Sequence, residues 1–328
     1  TNIEPVTVTI PEDVDWITNV TTRAMMEKEF QIKVEANSTD GDREATITFA
    51  NEDAKEQFVI KQESTNPNLA KKIVDPLFRA YIMDNYDDGD GFLTPEEAAT
   101  VTSINLDGSA SDNGDPTLRP IASLAGIEIF TELTALKLNW IAPAIEAVDL
   151  SKNTKLTSID MTLGSGVKGI ECANLPELTY FRMQRLSDEE AKQGNNGQPF
   201  EDSGLEDINL NGCPKLGELK VGQLPNLRTL TFADSKDLSS LNLLGAFVKK
   251  DELPVGEVTK VDISVCPNLS KLFGSTTLGM LVLTQAQYDQ FYEDLVINQG
   301  SFFGIWSITD APDVSEKLTD PVLRAACI

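Results

Sequence analysis

The sequence predicts a multidomain protein: a small all-β sandwich, then a solenoid of short stacked strands, with helical caps. Three observations predict it. Before residue 64, apolar and polar residues alternate in short runs. From residue 101 an apolar residue recurs every 11 positions over long stretches. Segments with helical spacing stand between these regions and after them. The expected domains are residues 1–64, a sandwich; 65–101, a capping helix and an acidic loop; 102–284, the solenoid; and 285–328, a C-terminal cap.

In the first region, Val6-Val8-Ile10, Phe30-Ile32-Val34, Ala45-Ile47-Phe49 and Phe58-Ile60 alternate apolar with polar, the pattern of half-buried strands. Turn formers such as Asn37-Ser38-Thr39-Asp40-Gly41 separate them. Asn66-Pro67 then reads as an N-cap with Pro at the first helical position. Leu69, Ile73, Leu77 and Tyr81, spaced by four, would form one apolar face over the open end of the solenoid.

The repeat carries most of the chain. One run is Ile145, Leu156, Val167, Leu178; another is Leu205, Leu216, Leu227, Leu238. Each unit reads L-x-x-L-x-L, as in Leu205-Ile208-Leu210 and Leu216-Leu219-Val221. One such strand cannot bury its own apolar face, so stacking is required. Two 11-residue halves make a coil of about 22 residues, the leucine-rich-repeat period. Cys213 and Cys266 fall at the ninth position of their units, where Asn153 also sits and where a side chain can satisfy the buried turn. They lie several layers of about 4.7–4.9 Å apart, too far for a disulfide, which needs Cα atoms within about 7 Å. The four cysteines read as reduced, mostly buried thiols. Tyr288, Phe291, Leu295 and Phe302 suggest a closing helix and further closing elements.

Charge and composition exclude several functions. Lys and Arg total 27 against 52 Asp and Glu, a net charge of −25. Such a surface repels phosphate backbones, so no nucleic-acid partner is expected. The longest uncharged stretch, Leu272 to Tyr288, spans 17 residues and is too short and polar to cross a bilayer. There is no His, which removes Ser-His-Asp and Cys-His nucleophile pairs and HExxH zinc sites. The chain is not expected to be an enzyme. It begins at Thr1 with no signal segment or lipid anchor, the expectation for a mature or trimmed form.

Residues 84–97 gather Asp84, Asp87, Asp88, Asp90, Glu96 and Glu97 around Gly89 and Gly91. A calcium loop needs oxygen ligands at positions 1, 3 and 5, Gly at 6 and a bidentate Glu at 12. With Gly91 at 6, Asp88, Asp90 and Glu97 take 3, 5 and 12, and Asp87 stands in for Tyr86 at position 1. These four are the candidate Ca²⁺ ligands; a solvated turn without metal is the alternative. The second acidic loop, Asp107 to Asp115, lacks that spacing and reads as a solvent-facing insertion.

Several of these segments carry a resemblance. Asp15-Trp16-Ile17, Phe30-x-x-x-Val34-x-x-Asn37, Arg43-x-Ala45-x-Ile47-x-Phe49 and Val59-Ile60-Lys61-Gln62 resemble a BACON domain, an immunoglobulin-like module of exported Bacteroidetes proteins. Its opening strands would lie before Thr1. Residues 86–102 and 121–136 resemble the EF-hand-like entry of Bacteroidetes surface leucine-rich-repeat proteins. The resemblance implies an exported, surface-tethered lipoprotein. No carbohydrate role passes from it to a residue here, and Trp16 reads as a core side chain.

Two phases of half-coil alternate. One starts at Val101, Leu133, Leu156, Leu178, Leu216, Leu238 and Leu269; the other at Ile121, Ile145, Val167, Leu205, Leu227, Val258 and Leu278. The long interruptions, 107–120, 189–204 and 249–257, all follow the first phase, and insertions on one side often mark the binding side. The outward fifth position of that phase holds Lys137, Asp160, Arg182, Lys220, Asn242 and Phe273, with Tyr180, Arg185 and Trp140 nearby. Lys137, Trp140, Tyr180, Arg182, Arg185, Lys220 and Phe273 are therefore the candidate ligand-binding residues. The expected function is non-enzymatic recognition of an extracellular protein or glycan by a monomer. The alternative is an accessory component or enzyme of surface polysaccharide processing.

Overall fold

A computed structural model describes residues 6–19, 30–39, 41–51, 53–65, 67–109, 114–141, 145–163, 167–185, 204–249, 252–255, 257–293 and 305–309. The chain divides into two compact units, residues 1–71 with 83–98, and residues 72–82 with 99–328.

The first unit is antiparallel. Strands β1 (Thr7–Thr9), β4 (Arg43–Ala50) and β5 (Lys55–Gln62) form one sheet in the order β1-β4-β5. Strands β2 (Ile17–Asn19) and β3 (Ile32–Val34) pair as a second sheet. Period-two alternation buries Ala45 and Ile47, which pack with Trp16 and Ile17 and with the partly buried Val8, Ile32, Phe49 and Ile60. Trp16 is a core residue, as its neighbours in sequence imply, with the Arg43 guanidinium 4.1 Å from its ring centre. Asn37 is fully buried and its amide donates to the carbonyls of Gly41 (2.8 Å) and Gln62 (3.3 Å). Strand β2 has no long alternating run, so periodicity does not reveal it.

The expected helix from Asn66 is broken in two. A 3₁₀ turn spans Leu69–Lys72, and α1 spans Pro76–Tyr86. Asp75 precedes a proline, which disfavours the helical conformation there. It acts as the N-cap instead, its Oδ1 accepting from the N–H groups of Leu77 (2.9 Å) and Phe78 (3.0 Å). This shift rotates the buried face of α1 to Phe78 and Ile82 and leaves Leu77 exposed.

The second unit holds two seven-stranded parallel sheets, the architecture of a repeat solenoid. The first contains β6 (Ser103–Asp107), β7 (Ala135–Ile141), β9 (Ser158–Leu163), β11 (Tyr180–Arg185), β13 (Glu218–Gly222), β15 (Ser240–Asn242) and β17 (Lys271–Phe273). The second contains β8 (Ala147–Asp149), β10 (Gly169–Glu171), β12 (Asp207–Asn209), β14 (Thr229–Thr231), β16 (Lys260–Asp262), β18 (Met280–Leu283) and β19 (Ile305–Ile308). Every first-phase unit becomes a first-sheet strand that begins two residues after its unit start. Ile121 and Leu124 are buried in phase, yet no strand forms there; a 3₁₀ turn at Ile127–Ile129 follows. Gly126 between them has φ +103°, and a Cβ on it would lie 2.6 Å from the Ile73 Cα. Only glycine fits that approach.

The repeat leucines form the core between the sheets. Leu136, Ile159, Phe181, Leu219, Leu241 and Leu272 face it from the first sheet, and Val148, Ile170, Ile208, Leu230, Val261 and Leu281 from the second, all buried. Two polar ladders run along this stack. Hydroxyls of Thr134, Thr157 and Thr179 each donate to the carbonyl one coil back, at 2.9–3.0 Å; Ser239 and Ser270 repeat the pattern, and Gly217 interrupts it. At the ninth position Asn153 is fully buried and donates to the carbonyls of Ile127 (2.9 Å) and Phe130 (3.0 Å), the turn-satisfying role its phase implies. Cys172, Cys213 and Cys266 are buried and free. Burial raises the pKa of all three thiols, pushing that of Cys266 up to about 12. Cys327 lies outside the described residues.

Beyond β18, α3 (Gln285–Gln290) opens with a capping box between Thr284 and Gln287. The Gln287 amide closes the last turn by donating to the carbonyls of Ile263 (2.8 Å) and Cys266 (3.0 Å). Phe291 is buried and Tyr288 packs edge-on to Tyr292. Leu295 and Phe302 lie outside the described residues. Strand β19 pairs with β18 where the repeat has vanished from the sequence. No helix among the described residues is long and apolar enough to cross a membrane.

Candidate functional site

The outward face of the first sheet is built in columns. Backbone register places Asn105, Lys137, Asp160, Arg182, Lys220, Asn242 and Phe273 side by side, one per strand. A second column runs Ser103, Ala135, Ser158, Tyr180, Glu218, Ser240 and Lys271, and a third Asp107, Asn139, Thr162, Gln184 and Gly222. The structure thus brings Tyr180, Arg182 and Lys220 onto the adjacent strands β11 and β13, with Lys137 two strands away on β7 across Asp160 of β9, and sets Phe273, which is exposed, at the far end. Trp140 is the bulged residue of β7, between Asn139 opposite Thr162 and Ile141 opposite Leu163. Arg185 ends β11 opposite Leu163, out of step with Tyr180, Arg182 and Gln184. Of these two candidates only the backbone is described.

Each cation of the fifth column already has a carboxylate. Lys137 Nζ lies 3.6 Å from Asp107, Arg182 Nη1 lies 3.4 Å from Asp160, and Lys220 Nζ lies 2.6 Å from Glu218. Lys220 Nζ also stands 5.5 Å from the Tyr180 ring centre, and Arg182 donates from Nε and Nη2 to Gln184 at 3.4 and 3.2 Å. Partial burial pushes the Tyr180 phenol up, with Asp160 adding to the shift and Lys220 opposing it. The Lys220 ammonium is raised, chiefly by its hydrogen bond to Glu218.

The contrast between the two phases has a local cause that composition concealed. In the second sheet the strands are short, and the fifth position is the last before a turn. There Asp149, Asn209 and Asp262 accept from the N–H two residues on, at 2.9–3.0 Å, and Glu171 does so at 3.3 Å. Asn and Asp side chains favour such turns. In β14 the fifth residue is Thr231, whose hydroxyl donates to Asn209 Oδ1 at 3.1 Å, and Ala233 N–H is taken by Asn211 Oδ1 at 2.8 Å. In β7, β9 and β11 the strand runs on, and the fifth position has no turn to serve. Two first-sheet strands stop there: in β15 the residue is Asn242, whose Oδ1 accepts from Leu244 N–H at 3.0 Å, and in β17 it is the exposed Phe273, which has no acceptor to offer. The acidic fifth residues of the second phase are therefore turn chemistry. Those of β7 to β13 are under no such demand.

Asp107 is likewise not a solvent-facing loop residue. It is buried at the end of β6, where it accepts from Ser109 N–H (2.9 Å) and Asn139 Nδ2 (3.1 Å). Burial raises its pKa, but those bonds and Lys137 outweigh that and leave the carboxyl below its usual range. Residues 110–113, 189–203, 250–251 and 256 of the three interruptions lie outside the described residues.

The acidic loop of the first unit is folded by its own carboxylates. Asp88 Oδ1 accepts from Asp90 N–H (3.2 Å), Asp90 Oδ1 from Phe92 N–H (2.8 Å), and Asp87 Oδ2 from Gly91 N–H (3.3 Å). Gly89 and Gly91 take φ of +102° and +85°. Carboxylate oxygens of Asp87, Asp88 and Asp90 lie within 4.8 Å of one another. Asp87 Oδ1 is buried without a hydrogen-bond partner. Glu97 does not join them. One oxygen accepts from Asp88 N–H at 3.0 Å, and the other accepts from Thr94 N–H at 2.8 Å in a capping box at the start of α2 (Pro95–Ala98). The Thr94 N–H bond holds the Glu97 carboxyl below its usual range, against a smaller opposing effect of burial.

A family profile described as "BACON: Putative binding domain, N-terminal" matches residues 6–63. Among solved structures, the chain is similar to an internalin from Listeria monocytogenes. The identity is 16% and the TM-score 0.31, over 76% of this chain and 74% of that one. No curated protein matches the chain.

Proposed function

We propose that the protein is a non-enzymatic, exported recognition module that binds an extracellular protein or glycan through the outward face of the first sheet. One observation carries this reading. From β7 to β13 the fifth column is relieved of turn duty, and it holds Lys137, Asp160, Arg182 and Lys220 beside Tyr180. Residues that the fold does not require are free to be set by a ligand. The match of residues 6–63 to a profile described as a binding domain supports the same class of function. In this reading residues 1–64 form an immunoglobulin-like module, and α1 and α3 cap the solenoid. Surface tethering in a Bacteroidetes cell belongs to the same reading. The test replaces Arg182 and Lys220 with Glu, leaving uncompensated acid beside Asp160 and Glu218, and measures binding to whole host cells or mucin. Binding falls if the reading holds; undiminished binding by folded protein refutes it.

A second reading concerns the acidic loop, and the orphaned Asp87 Oδ1 favours it. A Ca²⁺ ion held by Asp87, Asp88 and Asp90 would give that oxygen its partner, with Glu97 fixing the loop rather than ligating. Ligand at 100 times its dissociation constant stabilises the folded state by about 2.7 kcal/mol. The melting temperature should therefore rise with calcium and fall with chelator, and an unchanged value refutes the site.

A further inference from the structure

We propose that the ligand of the first-sheet face is an uncharged, hydroxyl-rich chain, a neutral polysaccharide; this rests on the reading that the face is the binding surface. The first argument is electrostatic. The columns from β6 to β17 hold four cations (Lys137, Arg182, Lys220, Lys271) against three carboxylates (Asp107, Asp160, Glu218). The corresponding columns of the second sheet hold one cation, Lys260, against Asp149, Glu171, Asp207 and Asp262. In a protein of net charge −25 the first face is thus close to neutral. Lys137, Arg182 and Lys220 each lie within 3.6 Å of a carboxylate. An anionic ligand would have to compete with those carboxylates for the three cations; an uncharged one leaves the ion pairs seated.

The second argument is the lack of an apolar centre among the described side chains of the three columns. Protein interfaces concentrate binding energy on buried apolar and aromatic anchors. From β6 to β13 the column positions hold no Val, Leu, Ile, Met, Phe or Trp. They hold Ser103, Asn105, Asn139, Ser158 and Gln184, donors and acceptors repeating at a strand spacing of about 4.8 Å, while Thr162 is buried. That chemistry pairs with the hydroxyls of a repeating chain. Tyr180 is the single aromatic among them and offers a partly exposed ring for the C–H face of a sugar. The exposed Phe273 and Leu244, where a protein partner would find apolar anchors, lie outside this stretch.

The experiment is titration calorimetry of the full chain with soluble glucan, mannan and galactan, and with polygalacturonate and heparin as acidic probes. Each is measured at about 0.05 M and about 0.5 M NaCl, which brackets the Debye length from well above to well below its physiological value. We expect one of the neutral glycans to bind, with an affinity that changes less than about twofold between the two salt levels. Tyr180→Ala should weaken it about tenfold or more, while Tyr180→Phe, which keeps the ring and serves if the alanine variant fails to fold, should retain it. Three results overturn the inference while sparing the face: no binding to any neutral glycan, binding only to the acidic probes with steep loss in salt, or neutral-glycan binding lost with Phe273→Ser but not with Tyr180→Ala. Neutral-glycan binding untouched by Tyr180→Ala, Phe273→Ser and the Arg182→Glu, Lys220→Glu pair refutes the face itself.

Discussion

Replacing Asn153 with alanine probes how the solenoid closes its buried turns. Asn153 is fully buried, and its amide donates to the carbonyls of Ile127 and Phe130 at 2.9 and 3.0 Å. Each carbonyl keeps one backbone donor, from Phe130 and Leu133 at 3.1 and 3.2 Å. Losing a side-chain bond therefore costs nearer the net value of about 1 kcal/mol than the full desolvation penalty. Two such bonds and the void left by the amide sum to about 3–4 kcal/mol. The Asn153 Oδ1 is itself buried and unpartnered, and removing it returns about 1 kcal/mol. The expected net loss is about 2–3 kcal/mol, or about 5–10 °C in melting temperature for a domain of this size. Asn153→Asp should cost more, because a carboxylate would face two carbonyl oxygens in a dry site. Urea unfolding followed by circular dichroism measures both. A loss below about 0.5 kcal/mol for Asn153→Ala, or an Asp variant no worse than the Ala variant, would refute the reasoning.

Two other perturbations test the ladders and the sheet end. Gly217→Thr should stabilise the protein by about 0.5–1 kcal/mol by stiffening the unfolded chain and restoring a missing hydroxyl. A Cβ there meets nothing closer than the Thr179 carbonyl at 3.6 Å, so a lower midpoint in urea would mean the ladder is incidental. Because the Asp107 carboxyl is held below its usual pKa, its contribution is fully present above a pH of about 4 and is lost as pH falls through the lower folded-state value. Asp107→Asn should flatten the stability profile in that acid window while changing little of its slope near neutrality; an unaltered acid limb contradicts the assignment.

Much of the solenoid was legible because its signal is redundant. Leu216, Leu238 and Leu269 each announce a strand two residues later, and a mistake at one unit is corrected by the next. The two phases separate into two sheets for the same reason. The helix near residue 76 begins later than the four-residue spacing from Leu69 predicts, because the cap and proline of the Asp75-Pro76 pair set its start. The candidate strip was legible only as composition. Its cations could be counted, but their carboxylate partners lie one coil away, as Asp160 does from Arg182, or two residues along the strand, as Glu218 does from Lys220.

The sequence by itself determined the period and the phase, and with them the buried positions of the repeat apart from Val258, which opens a second-phase unit yet is exposed. It also determined the absence of histidine chemistry and the acidic surface. Only the tertiary structure decided where strands end, and with that what each fifth residue is for. An Asp at the end of β8 is a turn acceptor; an Asp in the middle of β9 is a partner for Arg182 on the next coil. The two look alike along the chain. They differ because hydrogen-bond demand is set by whether the backbone continues in a ladder or leaves it.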